Sequence, residues 1–167
     1  VLNVSKGTVS VAPFPGETAT IATLTVGYVT NQNSDSTVKT STGVTLTTVT
    51  QTGGVFQFDS SITTFTQTGG TSTAISGTIT TLNLEGGTLY FQSSGAITNW
   101  KIYSGATLDF SQNNQSRTLT NKGSIYSGSS LQDPNSTVTF SAGFQTIGCG
   151  LQDCKINVGV AHSFTVT

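Results

Sequence analysis

The sequence predicts an all-β chain wound as a parallel β-helix, a β-solenoid with coils of about 16–23 residues. Two markers and the composition predict it. Leu46, Ile62, Ile79, Ile97 and Leu119 are each followed by Thr-Thr or Thr-Asn and step by 16, 17, 18 and 22 residues. Gly54, Gly70, Gly87, Gly105 and Gly128 follow them at a nearly fixed offset and step by 16, 17, 18 and 23. Two markers that drift together describe one unit copied several times. The chain holds 33 Thr and 21 Ser among 167 residues, with 19 Gly and no Met. That excludes long helices and suits pleated strands. Hydrophobic residues alternate with Thr and Ser, which gives each segment one face to bury. An all-β sandwich is the alternative architecture.

Three stretches follow in order. Residues 1–42 read as an irregular N-terminal segment with one degenerate coil. Pro13 and Pro15 mark a turn, an edge or a connection, because proline donates no ladder hydrogen bond. The segment from Thr20 to Val26 alternates as a strand, and Asn31 to Asp35 reads as a projecting polar loop. Residues 43–135 read as the regular array. A typical unit is a strand from Ile79 to Leu84, a corner at Glu85-Gly86-Gly87, and a second strand from Thr88 to Phe91. Glycine supplies the positive φ that such a corner needs. No Asn-Gly or Asp-Gly hairpin turn interrupts the array, which argues for winding rather than antiparallel pairing. Along these strands Leu82 and Leu84 share a face, as do Trp100 and Ile102, and Leu108 and Phe110. Stacked coils then place Ile, Leu and Val inside and threonine ladders outside, in a triangular or flattened cross-section. Residues 136–167 read as looser coils or the approach to a cap. The chain opens and closes in strand-like sequence and is read as a segment of a longer polypeptide or assembly.

Charge narrows the partners. The net charge is −1, and Lys6, Lys39, Lys101, Arg117, Lys122 and Lys155 are scattered. A nucleic-acid footprint needs clustered positive charge, so no nucleic-acid partner is expected. No apolar run reaches the ~20 residues of a membrane-spanning helix.

Candidate chemistry is sparse. Glycoside cleavage needs paired carboxylates roughly 5–9 Å apart. The acids are Glu17, Asp35, Asp59, Glu85, Asp109, Asp133 and Asp153. Asp59 and Asp109 fall on related faces about three coils apart, on the order of 14 Å by strand spacing. Asp133 precedes Pro134 and reads as a turn residue. His162, the single histidine, has no partner by spacing. The expectation is therefore no catalytic, cofactor or metal residue and no cofactor. Cys149 and Cys154 can bond across a tight loop, pair elsewhere or stay reduced; buried, inert thiols are the favoured reading. Tyr103 and Tyr126 occupy matching places before Ser-Gly, with Tyr90 and Trp100 near them. Such aromatics can stack on sugar rings, or stack on each other at a corner or protomer contact. Three sequons, at Asn3, Asn114 and Asn135, are ordinary for a chain so rich in Asn, Ser and Thr.

The segments Ile97-Thr98-Asn99, Tyr103 to Ser111, Arg117 to Asn121, Tyr126 to Leu131 and Asp133-Pro134 resemble repeats in β-solenoid virion proteins of tailed bacteriophages. Those proteins are head fibres, capsid decorations and tail fibres or spikes. The resemblance covers about a quarter of the chain well and the rest loosely. It implies a non-enzymatic structural or attachment protein on the virion surface. It also implies a homotrimer, with other capsid or tail proteins and host-surface glycans as partners. A tailspike-like polysaccharide depolymerase, and a cellular adhesin or extracellular filament subunit, are the competing expectations.

Overall fold

A computed structural model of the chain describes residues 1–27, 36–149 and 154–159. Among them are eighteen strands. The first coils hold β1 (Leu2–Val4), β2 (Gly7–Val11), β3 (Ala19–Val26), β4 (Ser36–Thr40), β5 (Val44–Gln51) and β6 (Val55–Asp59). The middle coils hold β7 (Ile62–Gln67), β8 (Thr71–Ser76), β9 (Ile79–Leu84), β10 (Gly87–Phe91), β11 (Ile97–Ile102) and β12 (Ala106–Asp109). The last hold β13 (Arg117–Leu119), β14 (Gly123–Tyr126), β15 (Ser130–Gln132), β16 (Val138–Phe140), β17 (Phe144–Ile147) and β18 (Lys155–Asn157).

Successive strands alternate between two sheets. One runs β1-β3-β5-β7-β9-β11-β13-β16, with β14 and β17 continuing the outer part of the last two coils. The other runs β2-β4-β6-β8-β10-β12-β15-β18. All described pairs are parallel. The chain is thus a flattened β-solenoid of about seven turns, and the sandwich is not formed. At ~4.8 Å per coil the rod is about 34 Å long. Residues 1–42 contribute β1 to β4 to the same two sheets. Pro15 lies in the turn Phe14-Pro15-Gly16-Glu17, closed by the Glu17 amide donating to the Phe14 carbonyl at 2.9 Å, and Pro13 directly precedes that turn. The Asn31 to Asp35 loop and the final strand-like residues lie outside the described residues.

Both sequence markers are real columns. Leu46, Ile62, Ile79, Ile97 and Leu119 are consecutive register partners, and all are buried. Gly54, Gly70, Gly87, Gly105 and Gly128 all have φ between 69° and 79°. The Thr-Thr that follows each anchor also has a physical reason. Leu46 and Val49, Ile62 and Phe65, and Ile79 and Leu82 all point inward although three residues apart. Two successive residues must therefore face outward, which breaks the alternation, and threonine tolerates both strand geometry and water. Truncating Ile97 to alanine is expected to cost ~2–5 kcal/mol, read by denaturant unfolding. A cost below ~1 kcal/mol would contradict its place in the column.

The core is filled by size complementarity between coils. Phe56, Phe58 and Phe65 form a cluster with centroids 5.0–5.9 Å apart. Two of the three meet small partners one coil on, Phe56 facing Ser72 and Phe58 facing Ala74, while Phe65 meets Leu82. Trp100 is solved the same way. Its indole lies over Gly123, where any β-carbon would collide with the ring, and continues to Phe140 and Phe144 at 6.0 and 6.1 Å.

Two glutamines sit in this interior. Gln51 and Gln67 are register partners with no solvent exposure. Each side-chain amide donates to carbonyls of its own glycine corner: Gln51 to Gly54 at 3.2 Å, Gln67 to Gly70 at 3.0 Å. The Gln51 carbonyl oxygen accepts from the Ser72 hydroxyl. One coil on, Leu89 replaces Ser72, and Gln67 Oε1 is left without a donor.

Candidate functional site

In a repeat protein the informative place is where the repeat departs from itself. Five corners align as Gln51-Thr52-Gly53-Gly54, Gln67-Thr68-Gly69-Gly70, Leu84-Glu85-Gly86-Gly87, Ile102-Tyr103-Ser104-Gly105 and Ile125-Tyr126-Ser127-Gly128. The first three carry glycine pairs and stack tightly. A β-carbon at Gly70 or Gly87 would collide with the backbone carbonyl of the corner beneath. The last two carry Ser-Gly, and the Gly105 amide donates to the Gly128 carbonyl at 2.9 Å, where a β-carbon at Gly128 would strike the Ser104 hydroxyl. A β-carbon at Gly105 would meet nothing within 4 Å.

A groove of about 390 Å³ lies over the Gly105 and Gly128 corners. Gly105, Ala106, Thr107, Ser127, Gly128, Ser129, Ser130 and Lys155 line it. Thr107, Ser130 and Lys155 are register partners at the start of β12, β15 and β18. Their side chains stand in one outward column, in line with half-buried Thr88 and Thr71 two coils back. Ser129 is buried and its hydroxyl donates to the Tyr126 carbonyl at 2.6 Å. Lys155 is exposed, and among the described residues no carboxylate lines the groove. The volume lies at the small end of ligand pockets.

Beside the groove, Tyr103 and Tyr126 stack at 4.6 Å with planes 14° apart. Hydrogen bonds along the corner fix their column. The Tyr103 amide pairs with the Leu84 carbonyl, and Ser127, next to Tyr126, pairs with Ile147. Glu85 therefore precedes Tyr103 in this column, and Ile147 follows Tyr126. The two rings spend a face on each other, so they form a corner stack rather than an open platform for sugars. Tyr90 stands apart, half-buried in the outer column of the second sheet between Thr73 and Asp109. Trp100 corrects the expectation that placed it among surface aromatics at a protomer contact. It is only 2% exposed, because the doubled outward position at Thr98-Asn99 turns it inward like Leu82. Its Nε1 donates to the Asn121 carbonyl at 3.0 Å.

The carboxylates are dispersed. Asp59 accepts from Thr42 Oγ1 at 2.9 Å and from the Ser76 hydroxyl, tying three coils together. Asp109 accepts from the Ser111 amide at 2.7 Å, a local turn. Three strand steps along the second sheet separate them. Glu85 and Glu17 are exposed at a corner and a turn. Asp133 is wholly buried and accepts from the Thr137 and Val138 amides at 3.0 and 2.9 Å, as its turn position requires. Asp35, Asp153 and His162 lie outside the described residues. Among the described residues no group of three His, Cys, Asp or Glu could hold a metal ion, and no helix is long and apolar enough to cross a membrane.

The cysteines correct a second expectation. They are not reduced, buried thiols: Cys149 and Cys154 form a disulfide, both half-buried. Cys149 follows β17, Cys154 precedes β18, and their Cα atoms lie 5.6 Å apart, within the span such a bond needs.

One charged residue escaped sequence reasoning. Arg117 is 3% exposed. Its Nε donates to the Gln115 carbonyl at 2.7 Å and its Nη1 to the Phe91 and Phe110 carbonyls. Its Nη2 reaches Asn113, and its Cζ lies 5.5 Å from the Phe110 ring centre. Burial lowers the guanidinium pKa from its ordinary value, and the Asp133 charge partly opposes this. A polar run, Gln112 to Ser116, precedes it, and nothing in that run distinguishes a buried arginine from a surface one.

No family model, curated protein or solved structure matches the chain.

Proposed function

We propose that this chain is a non-enzymatic structural protein exposed on a tailed-phage virion, as a capsid decoration, head fibre or tail-fibre component that aids surface attachment. The observation that supports it best is the continuity of the body. Interior columns run without a break through successive coils, so the chain is a stiff rod whose outer faces are available for contact. The resemblance of the Ile97 to Phe140 repeats to phage fibre proteins supplies the virion context. In this reading the solenoids assemble side by side as a homotrimer. Tyr90 and the exposed edges of Tyr103 and Tyr126 are the contact candidates, and Trp100 is excluded by its burial.

Immunogold labelling and mass spectrometry of purified particles test the location. Label on capsid or tail is the expected result, and absence of the chain from particles would refute it. Sedimentation tests the trimer, and a monomer at micromolar concentration would exclude it. The purified protein is expected to release no reducing ends from capsule or lipopolysaccharide, because Asp59, Asp109 and Asp133 hold turns and coils together rather than facing one another. Release that disappears in Asp109→Asn or Glu85→Gln would instead favour the depolymerase.

A further inference from the structure

We infer that the groove over Gly105 binds an acidic sugar residue, of the uronic or sialic type, at the surface to which the protein attaches. The inference rests on the attachment reading and adds to it a site and a ligand class.

Three observations converge on this groove. It is formed where the corner sequence changes from Gly-Gly to Ser-Gly, and it spans the two corners that carry the change. Before it the Gly70 and Gly87 corners close on the backbone beneath them; a β-carbon at Gly105 would meet nothing within 4 Å, and one at Gly128 would first meet the Ser104 side chain. A corner that only had to turn the chain would have kept the tight stack.

The lining then selects the ligand. Thr107, Ser127 and Ser130 bring hydroxyls, each able to donate and accept, which suits a polyol. Part of that capacity is already used: Ser130 Oγ accepts from Gln132 Nε2 at 2.7 Å. Lys155 stands in the same outward column as Thr107 and Ser130 and adds one ammonium. Among the described residues the lining has no carboxylate to oppose it and no aromatic face to hold an apolar ring. A ligand with several hydroxyls and one carboxylate matches this set. A neutral sugar would leave the lysine unused, and a bare anion would leave the hydroxyls unused. The Tyr103–Tyr126 stack lies on the neighbouring residues of the same two corners and is not part of the lining.

The test is a calorimetric or NMR titration of the whole chain. The probes are a hexuronic-acid oligosaccharide, a sialylated oligosaccharide, a neutral hexose oligosaccharide and sodium sulfate. At least one acidic probe is expected to bind at least about tenfold more tightly than the neutral one, as a single charge-assisted hydrogen bond allows. Lys155→Glu is expected to remove that preference. Lys101→Glu, an exposed lysine on the outer face of the other sheet, is expected to keep it. Far-UV circular dichroism checks that each variant folds. If Lys155→Glu misfolds, Lys155→Gln replaces it, with the same loss expected. Equal binding of the neutral probe would overturn the proposal. So would no binding of either acidic probe at millimolar concentration, an unchanged Lys155→Glu titration, or sulfate competing as well as the sugars. Those failures leave the particle-labelling result untouched, so the loss of this site and the loss of the virion reading are separable.

Discussion

Gly87→Ala is expected to destabilise the protein by about 2–5 kcal/mol, whereas Gly105→Ala costs only about 1–2 kcal/mol. Both glycines turn equivalent corners, with φ of 73° and 79°, so both variants carry the left-handed strain of an L-residue. Only at Gly87 would the new β-carbon also strike backbone, the Gly70 carbonyl oxygen, with the Gly69 carbonyl carbon close behind. Backbone held in a parallel ladder cannot move aside without breaking register on both of its coils. Urea unfolding of the two variants beside the parent measures the difference. Equal costs would mean that the two corners do not differ in packing.

That comparison also marks how far the sequence alone reaches. The glycine and aliphatic columns were legible because a solenoid repeats one-dimensionally: each unit faces its own copy, so a position in the motif is a position in space. The Thr-Thr after each anchor was visible as a motif, but the doubled outward position behind it was not. Strict alternation along the strand leads away from it. Trp100 shows the consequence, because its burial depends on that slip and on Gly123 vacating the place above it, a contact 23 residues away.

The candidate site was half legible. The paired Tyr-Ser-Gly segments stood out in the sequence, and their mutual stacking follows from their matching place. The groove over those corners did not stand out, because it depends on coil lengths that grow to 23 residues between Thr107 and Ser130. Lys155 reaches it only through the register of β15 with β18, which no local pattern around Lys155 announces. The cysteine pair failed for a related reason. Spacing alone allows several outcomes, and the 5.6 Å Cα separation decides among them.

Arg117→Ala is expected to be among the most destabilising single changes in the chain, at about 3–5 kcal/mol by analogy with the loss of one partner from a buried ionic group. The argument is one of orphaned acceptors. The guanidinium satisfies carbonyls from four residues: Phe91, Phe110, Asn113 and Gln115. Those carbonyls come from two successive coils, so one side chain ties the loop after β12 to the end of β10. Removing it leaves acceptors inside the protein at roughly 1–3 kcal/mol for each that water cannot reach. It also leaves the buried Asp133 carboxylate without the cation that faces it electrostatically. Methionine separates packing from hydrogen bonding. Arg117→Met keeps apolar volume against Phe110 yet donates nothing, so it should recover little of the loss. Lysine restores charge but not the planar fork that serves several carbonyls at once, and Arg117→Lys should fall between. Thermal and urea unfolding of the three variants give the order Arg, Lys, Met, Ala from most to least stable. If Met proves as stable as the parent, the arginine is merely tolerated in the core and its carbonyl contacts contribute nothing.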